Sequence, residues 1–283
     1  MKHLIIVRGG GELGSGIAHC LHRAGFRVLI LEQKKPTATR RKVSFSDAMY
    51  RGETEVERVT CYKAKNLADA QKRLKKGDVM MIADPEAECV AELKPDVLID
   101  AIVAHENHGM KKDLAAHTIA LGPGFCAGRD VDVVVETGRG HNLGRLIYEG
   151  YSSKDADHGN GTVGESPNIE HLVFAPADGR VEMLRTISLM VRKGEIIGHL
   201  HAKNEGKEET IEIKATIDGV LRGAVYDGIK VSAGQKIADI HPTMGQEECY
   251  TISDKARCIG GSVLEAVMAW ESKKPKHRLF GRS

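Results

Sequence analysis

Aromatic residues are scarce in this sequence of 283 residues: they make up 4% of it, with a single tryptophan. Aliphatic side chains must therefore fill any core, and a hydrophobic content of 41% is enough for that. No apolar run is long enough to span a bilayer. The net charge of +2 gives no sign of a nucleic-acid or membrane surface, so we expect neither partner.

Paired cysteine motifs are also missing. The six cysteines are scattered without CxxC spacing, which in a chain of this length is typical of reduced thiols and predicts a cytoplasmic location. The first residues lead directly into an apolar run, so we expect no signal peptide. The length favours about two domains.

The opening of the chain carries the strongest pattern, Gly9-x-Gly11-x-x-Gly14. A short apolar run precedes these glycines and an apolar pattern at helical spacing follows them. A second apolar run, 28–31, ends at Glu32. Strand, glycine turn, helix, strand and acid in this order are typical of a dinucleotide-binding βαβ unit.

Each glycine has a physical role in such a turn: a tight bend, an approach of backbone to a pyrophosphate, and close helix–strand packing. The acid is placed to meet ribose hydroxyls. Two alternatives stay open, a glycine turn that merely packs and a site for another phosphate-bearing cofactor. The predicted cofactor-binding residues of the whole chain are Gly9, Gly10, Gly11, Glu12, Leu13, Glu32, Asn107, Gly122, Gly124 and Arg139.

Apolar strands alternate with helical patterns through residues 1–137, which predicts a Rossmann-like parallel sheet covered on both faces. The glycine loop Gly122–Gly128 would lie at its ligand-binding edge. His105 and His108 flank Glu106 and Asn107, but a third metal ligand is not evident, so we predict no metal site and take Asn107 as a polar cofactor contact.

Residues 138–169 form a glycine-rich connecting segment in this interpretation. It begins with a loop that holds Arg139 and His141 among glycines, an arrangement that can bind an anion. Solvent-facing side chains on an ordinary glycine turn are the alternative.

Residues 170–245 contain an internal repeat with an offset of 40 residues, A-x-x-D-G-x-(L/V) followed by V-x-x-G-x-x-I. The two copies resemble the halves of a lipoyl- or biotinyl-type domain, a barrel-sandwich fold. Lys203 and Lys207, at the join, lack the neighbours of a carrier lysine. Residues 246–283 predict a C-terminal helix and tail, with Ser253 as N-cap. The predicted fold class is thus α/β, a Rossmann-like parallel sheet domain followed by a β-rich lipoyl/biotinyl-like domain and a C-terminal helix.

Four motifs together resemble a known family. They are R-G-G-G-E-L-x-x-G-I-A (8–18), G-P-G-F-x-A-G (122–128), V-E-T-x-R-G-H-x-L-G-R (135–145) and I-S-D-K-A-x-x-I-G-G-x-V-L-E-A (252–266). The chain is similar to accessory proteins of selenium-dependent molybdenum hydroxylase systems. It departs from them at 105–110, where a more basic Lys-x-Asn stretch is expected.

The resemblance implies a role in maturing molybdenum hydroxylases, with molybdopterin dinucleotide or NAD as cofactor. Its implied partners are a hydroxylase apoprotein or cofactor-maturation proteins, and a homo-oligomer is possible. Whether the chain is an enzyme stays open, with Cys126 and His141 as candidate catalytic residues. The alternatives are an NAD-dependent oxidoreductase, for which no catalytic pair stands out, and a non-catalytic scaffold for hydroxylase assembly.

Overall fold

The computed structural model of the protein describes residues 3–153, 169–204 and 207–273. The helices in this part of the chain are α1 (Glu12–Arg23), α2 (Ala48–Arg51), α3 (Leu67–Leu74), α4 (Cys89–Leu93) and α5 (Asp254–Ser272). The strands before residue 153 are β1 (Leu4–Arg8), β2 (Arg27–Glu32), β3 (Glu53–Val56), β4 (Val59–Lys63), β5 (Val79–Ala83), β6 (Val97–Asp100), β7 (His117–Leu121), β8 (Cys126–Ala127), β9 (Val133–Val135), β10 (Leu146–Ile147) and β11 (Gly150–Tyr151). The strands after residue 169 are β12 (Leu172–Phe174), β13 (Gly179–Met183), β14 (Met190–Val191), β15 (Ile196–Asn204), β16 (Lys207–Lys214), β17 (Gly219–Ala224), β18 (Lys230–Val231) and β19 (Lys236–His241).

Nine strands form one large sheet in the order β10-β9-β7-β6-β1-β2-β5-β4-β3. β1 lies at its centre, and its alternating side chains serve two cores: Ile5 and Val7 belong to one, Ile6 to the other. Helices cover both faces, because strands buried on both sides need apolar partners on both sides. The order of strands reverses between β1 and β6, and this switch point is where a crevice opens at the carboxyl ends of such strands.

The predicted parallel sheet is wrong at its edges, because the sheet is mixed. β3 pairs antiparallel with β4, and β10 pairs antiparallel with β9. The cause is local in the first case: Glu57 and Arg58, between β3 and β4, both have positive φ, at 43° and 67°. That geometry is the tight two-residue hairpin turn, which returns the chain antiparallel.

Helix α5 returns from the end of the chain to pack against α1. A Cβ atom at Gly16 would lie 2.9 Å from the carbonyl oxygen of Ala256, and one at Gly260 would lie 3.0 Å from the carbonyl oxygen of Gly16 and 3.3 Å from Cβ of Cys20. The contacts advance in the same direction along both helices, so the helices run parallel. Their amino ends therefore lie at the same edge of the large sheet.

β8 and β11 form a small two-stranded sheet of their own. The strands after residue 169 form two four-stranded sheets, β12-β19-β17-β14 and β16-β15-β13-β18, which share one core; we call them the two-sheet unit. The sequence repeat appears in its pairing: Gly179 pairs with Val231 in one sheet, and Gly219 with Val191 in the other. With the offset of 40, Gly179 corresponds to Gly219 and Val191 corresponds to Val231, so the two pairs occupy equivalent positions in the repeat. Each half of the repeat thus contributes strands to both sheets.

The prediction of a lipoyl/biotinyl-like domain is wrong. The join between the halves of the repeat, where Lys203 and Lys207 lie, is part of a long antiparallel arm: β15 pairs with β16 from Ile196 with Lys214 to Asn204 with Lys207. The main-chain hydrogen bonds between β15 and β16 therefore hold this join between the two halves of the repeat in place. The domain boundaries at 137, 169 and 245 stay predictions. Residues 154–168 of the connecting segment and 274–283 of the tail lie outside the described residues.

The two-sheet unit contacts the large sheet through the segment that follows β2. The N–H of Ala224 donates to the carbonyl oxygen of Thr39 at 2.8 Å, and Nε of Arg41 donates to the carbonyl oxygen of Ala224 at 2.8 Å. The rings of Tyr50 and Tyr226 stack with centroids 3.9 Å apart. One main-chain hydrogen bond, one hydrogen bond from the Arg41 side chain and a stacked aromatic pair fix this contact.

Candidate functional site

The glycine turn between β1 and α1 has the geometry expected of a phosphate-binding turn. Gly9 has φ +92°, a conformation that glycine adopts without strain. A Cβ atom at Gly14 would lie 2.0 Å from the carbonyl oxygen of Gly9, so the helix can approach the strand because this residue has no side chain. Gly11 is the N-cap of α1, and a Cβ atom there would meet nothing within 4 Å. The amino end of α1 is therefore open to a ligand.

Glu32 ends β2 beside this turn. Its carboxylate accepts the N–H of Gly10 at 2.8 Å and the N–H of Gln33 at 2.7 Å. Burial raises the pKa of the Glu32 carboxyl, while the two N–H donors act in the opposite direction. Two hydrogen bonds leave further lone pairs on this carboxylate, which can accept ribose hydroxyl protons.

A cavity of about 440 Å³, here called the turn cavity, opens at this edge of the sheet. Its size falls within the range of small-molecule sites. Its lining consists of Arg8, Gly9, Gly11, Leu31, Glu32, Gln33, Pro36, Thr37, Ala38, Pro85, Glu86, Ala101, Ile102 and His108. These residues end or follow β1, β2, β5 and β6, whose carboxyl ends meet at the switch point.

A buried ion pair lies at the inner end of the turn cavity. Nη1 of Arg8 donates to Oδ2 of Asp100 at 3.0 Å, and Nη2 of Arg8 donates to the carbonyl oxygen of Pro85 at 3.2 Å. Burial raises the pKa of the Asp100 carboxyl, although Arg8 and the N–H of Ile102 favour its charged form. Since the two residues end neighbouring strands, the pair fixes the edge on which a ligand would lie.

A second cavity, of about 290 Å³, lies where the large sheet, α5 and the two-sheet unit meet; we call it the junction cavity. It is lined by Glu12, Leu13, Arg139, His171, Leu172, Arg222, Lys236, Asp239, Ser253 and Lys255. Three of the residues predicted to bind cofactor, Glu12, Leu13 and Arg139, thus lie here. Arg139 is also paired with Asp254, at 3.0 Å.

Other predicted residues hold their own loops together. Asn107 accepts the N–H of Met110 at 2.7 Å and donates Nδ2–H to the carbonyl oxygen of Met110 at 2.9 Å. Gly122 has φ +79°, and a Cβ atom at Gly124 would lie 2.5 Å from the carbonyl oxygen of Ala104. The turn and the close approach of two loops account for both glycines. Their roles in cofactor binding stay predictions.

The two candidate catalytic residues lie away from the turn cavity. Cys126 is half-buried in β8, which pairs with β11, and its thiol donates to the carbonyl oxygen of Ala127 at 3.7 Å. His141 is exposed in the turn before β10. Neither residue adjoins the glycine turn, and a catalytic role for either stays a prediction. Across residues 3–153, 169–204 and 207–273, no group of three or more His, Cys, Asp or Glu side chains is arranged to hold a metal ion.

Several residues of the two cavities were not predicted. Pro36, Thr37 and Ala38 line the turn cavity because the loop after β2 folds over it, a path that its composition did not indicate. Asp239 lies between apolar residues on a strand with a side chain that is 1% exposed. A charge inside an apolar run was the sequence signal that could have pointed to Asp239.

No protein-family model matches the chain. The chain is 40% identical over 265 residues to the uncharacterized protein YqeB of Escherichia coli K12, which covers 94% of this chain and 47% of that protein. The chain therefore spans about half the length of the curated relative it matches.

The matching solved structures are distant. A succinylglutamate desuccinylase/aspartoacylase from Rhodobacter sphaeroides is 13% identical with a TM-score of 0.28, covering 86% of each chain. An aspartoacylase family protein from Mesorhizobium loti is 10% identical with a TM-score of 0.31, covering 85% of each chain. The ectoine utilization protein EutE from Ruegeria pomeroyi is 21% identical with a TM-score of 0.25, covering 30% of this chain and 27% of its own.

These matches correct the family resemblance stated from the sequence. The matching structures bear the names of desuccinylase, aspartoacylase and ectoine utilization proteins, not of selenium-dependent molybdenum hydroxylase accessory proteins. The assignment to that family is wrong, and so are the maturation role, the NAD-dependent oxidoreductase alternative and the hydroxylase scaffold alternative that accompanied it. Because the TM-scores are low, no activity of these proteins is assigned to this chain.

Among the described residues, no helix is both long and apolar enough to cross a membrane.

Proposed function

We propose that the chain is a binding protein for a ligand that contains a ribonucleoside diphosphate, as dinucleotides do, and that this group occupies the turn cavity. One observation carries the proposal: the open amino end of α1 at Gly11 and the carboxylate of Glu32 face the same cavity. The first is suited to an anion and the second to a ribose diol.

The cavity walls suggest how the ligand would lie. Its diphosphate would contact the backbone N–H groups around Gly11, where the positive end of the α1 dipole favours anions. Its ribose hydroxyls would donate to Glu32. The base would then lie between the segment 36–38 and the residues after β5, Pro85 and Glu86.

Glu32 also bears on which ligands are accepted. A ribose 2′-phosphate would bring a second negative charge against a largely buried carboxylate, which is unfavourable in a site of low polarity. The proposal therefore favours ligands with a free ribose diol.

We also propose the cytoplasmic location that the sequence predicted. The six cysteines, all of them unpaired, support it.

Isothermal titration calorimetry of the full chain with NAD, NADP and ADP-ribose tests the proposal. We expect NAD and ADP-ribose to bind, and NADP to bind at least about tenfold more weakly because of the charge repulsion. The variant G11A places a methyl group where the diphosphate would lie. Since that position is open and φ of Gly11 is −66°, the variant should fold normally and lose the binding.

The control is G261A, an alanine on α5 at a position where a Cβ atom meets nothing within 4 Å. It should leave binding unchanged. Failure of NAD, NADP and ADP-ribose alike to bind the folded wild-type chain would refute the proposal, and so would equal binding by wild type and G11A.

A further inference from the structure

Three residues of the turn cavity wall, Pro36, Thr37 and Ala38, belong to a loop without regular secondary structure. Such a wall takes a defined position only through contacts with its surroundings. Pro36 is buried, and its carbonyl oxygen accepts the hydroxyl of Tyr50 at 2.7 Å. Burial raises the pKa of the Tyr50 hydroxyl to about 12, so the hydroxyl stays protonated and keeps donating near neutral pH. The wall is therefore tied to Tyr50 of α2.

Tyr50 is in turn held by the two-sheet unit. Its ring stacks on the ring of Tyr226, with the ring centroids 3.9 Å apart and the ring planes inclined by 7°. Tyr226 follows β17, and the guanidinium of Arg41 lies 5.1 Å from the centroid of its ring. Aromatic stacking and cation–π contacts of this kind favour one relative position of the groups. Tyr226 therefore determines where Tyr50 lies, and through Tyr50 it determines where Pro36 lies.

A second contact with the two-sheet unit holds the other end of the wall. The N–H of Ala224 donates to the carbonyl oxygen of Thr39 at 2.8 Å, and a Cβ atom at Gly223 would lie 3.0 Å from the same oxygen. Nε of Arg41 donates to the carbonyl oxygen of Ala224 at 2.8 Å. Residues 36–38 are thus held at both ends by contacts that lead to β17 and the residues after it.

We infer that Tyr226 is a positioning residue for the base of the ligand, and that the two-sheet unit thereby sets the affinity of the turn cavity. The inference rests on the proposed function, in which the base lies against residues 36–38. A wall that already has its bound position costs the ligand no ordering, so a rigid wall raises affinity. By linkage, a bound base also strengthens the contact between the wall and the two-sheet unit. Tyr226 acts in this way without lining the turn cavity itself.

Calorimetric titration of the full chain with ADP-ribose tests this role in Y226A, Y226F and Y50F. Y226A removes the stacked ring and should weaken ADP-ribose binding about tenfold, because the ligand must then order the wall. Y226F keeps the ring and should bind ADP-ribose as wild type does. Y50F keeps the stack, loses the hydrogen bond to Pro36 and should weaken binding about threefold.

The matched control is Y151A. Tyr151 is an exposed tyrosine of β11 that also lies beside an arginine, with the guanidinium of Arg129 at 5.7 Å from its ring centroid. It has no contact with residues 36–38 or with Tyr50 among the interactions described above, and its replacement should leave ADP-ribose binding unchanged. Inorganic diphosphate is a second probe. It can contact the glycine turn but has no base, so Y226A should bind it as wild type does.

Equal ADP-ribose affinity of wild type and Y226A would overturn the inference and leave the proposed function standing. An equal loss of diphosphate and ADP-ribose binding in Y226A would overturn it as well, because the tyrosine would then act on the whole site and not on the base. Failure of the folded wild-type chain to bind ADP-ribose would refute both the inference and the proposed function on which it rests.

Discussion

The backbone N–H of Gly10 donates a 2.8 Å hydrogen bond to the carboxylate of Glu32. The bond joins the turn after β1 to the acid that ends β2, two elements separated along the chain by all of α1. Glu32 therefore shapes the glycine turn and also presents its remaining lone pairs to the turn cavity. The two features therefore face one cavity, where a single ligand can contact both.

Replacement of that acid by its amide, E32Q, should weaken NAD binding about tenfold, because a hydrogen bond to a charged acceptor contributes roughly 1.5–3 kcal/mol. The preference for NAD over NADP should also shrink, since the charge that repels a 2′-phosphate is gone. Calorimetry with both nucleotides measures the two effects. The control E53Q, at an exposed position of the edge strand β3, should change neither affinity, and an unaltered NAD-to-NADP ratio in E32Q would contradict this role of Glu32.

The variant G14A should destabilise the fold by about 2–4 kcal/mol, as overpacking against rigid backbone does. Its Cβ atom would lie 2.0 Å from the carbonyl oxygen of Gly9, and backbone cannot move aside as a flexible side chain can. Urea denaturation measures the change. G11A, three residues earlier and in open space, should lose only about 0.5–1 kcal/mol, the difference between glycine and alanine as N-cap; equal losses in the two variants would show that the turn does not require the close approach.

Two adjacent glycines of α5 should respond to alanine with opposite signs. A Cβ atom at Gly260 would lie 3.0 Å from the carbonyl oxygen of Gly16 on α1, whereas one at Gly261 meets nothing within 4 Å. We expect G260A to destabilise the protein by about 1–2 kcal/mol and G261A to stabilise it by about 0.5–1 kcal/mol through helix propensity. Thermal and urea unfolding of the pair would reveal the difference, and equal stabilisation of both would mean that α1 and α5 are not in contact.

Asp239 should make the protein sensitive to acid. Burial by itself raises the pKa of this carboxyl, but Lys236 and Arg222 together hold it below its usual value. The stability that Asp239 contributes is therefore fully present above its unfolded pKa of about 4 and is lost as pH falls through the lower folded pKa. Urea unfolding at several pH values should show a smaller loss between about pH 5 and pH 3 in D239N than in wild type, while D239N is less stable at pH 7 by about 3–5 kcal/mol. Parallel curves for the two proteins would exclude this contribution.

The sequence predicted the local features of the turn cavity and missed those that depend on distant segments. The spacing of Gly9, Gly11 and Gly14 and the position of Glu32 follow from short-range periodicity, which a single sequence displays directly. The path of the loop at 36–38 is set by its contact with the two-sheet unit through Thr39, and that contact joins residues nearly two hundred positions apart. No local pattern encodes such a contact.

The junction cavity shows the same limit more strongly. Arg139, Arg222 and Lys255 come from three separate parts of the chain, and each would be an ordinary surface charge in isolation. Their meeting depends on α5 returning to α1, which the small residues Gly16 and Gly260 permit. The edges of the large sheet were mispredicted for a related reason, because strand direction at an edge depends on turn conformation at Glu57 and Arg58, which residue types alone did not indicate.

The way the 40-residue repeat is divided between the sheets has a consequence for how this region can assemble. Each half supplies β-strands to both sheets, so neither half contains a sheet that is complete in itself. A fragment carrying one half would leave unpaired edges on both sides and would gain its native hydrogen bonds only by meeting the complementary fragment. The two halves of the repeat are thus interleaved within one polypeptide. We expect them to fold together in one cooperative step, because each half completes the sheets of the other.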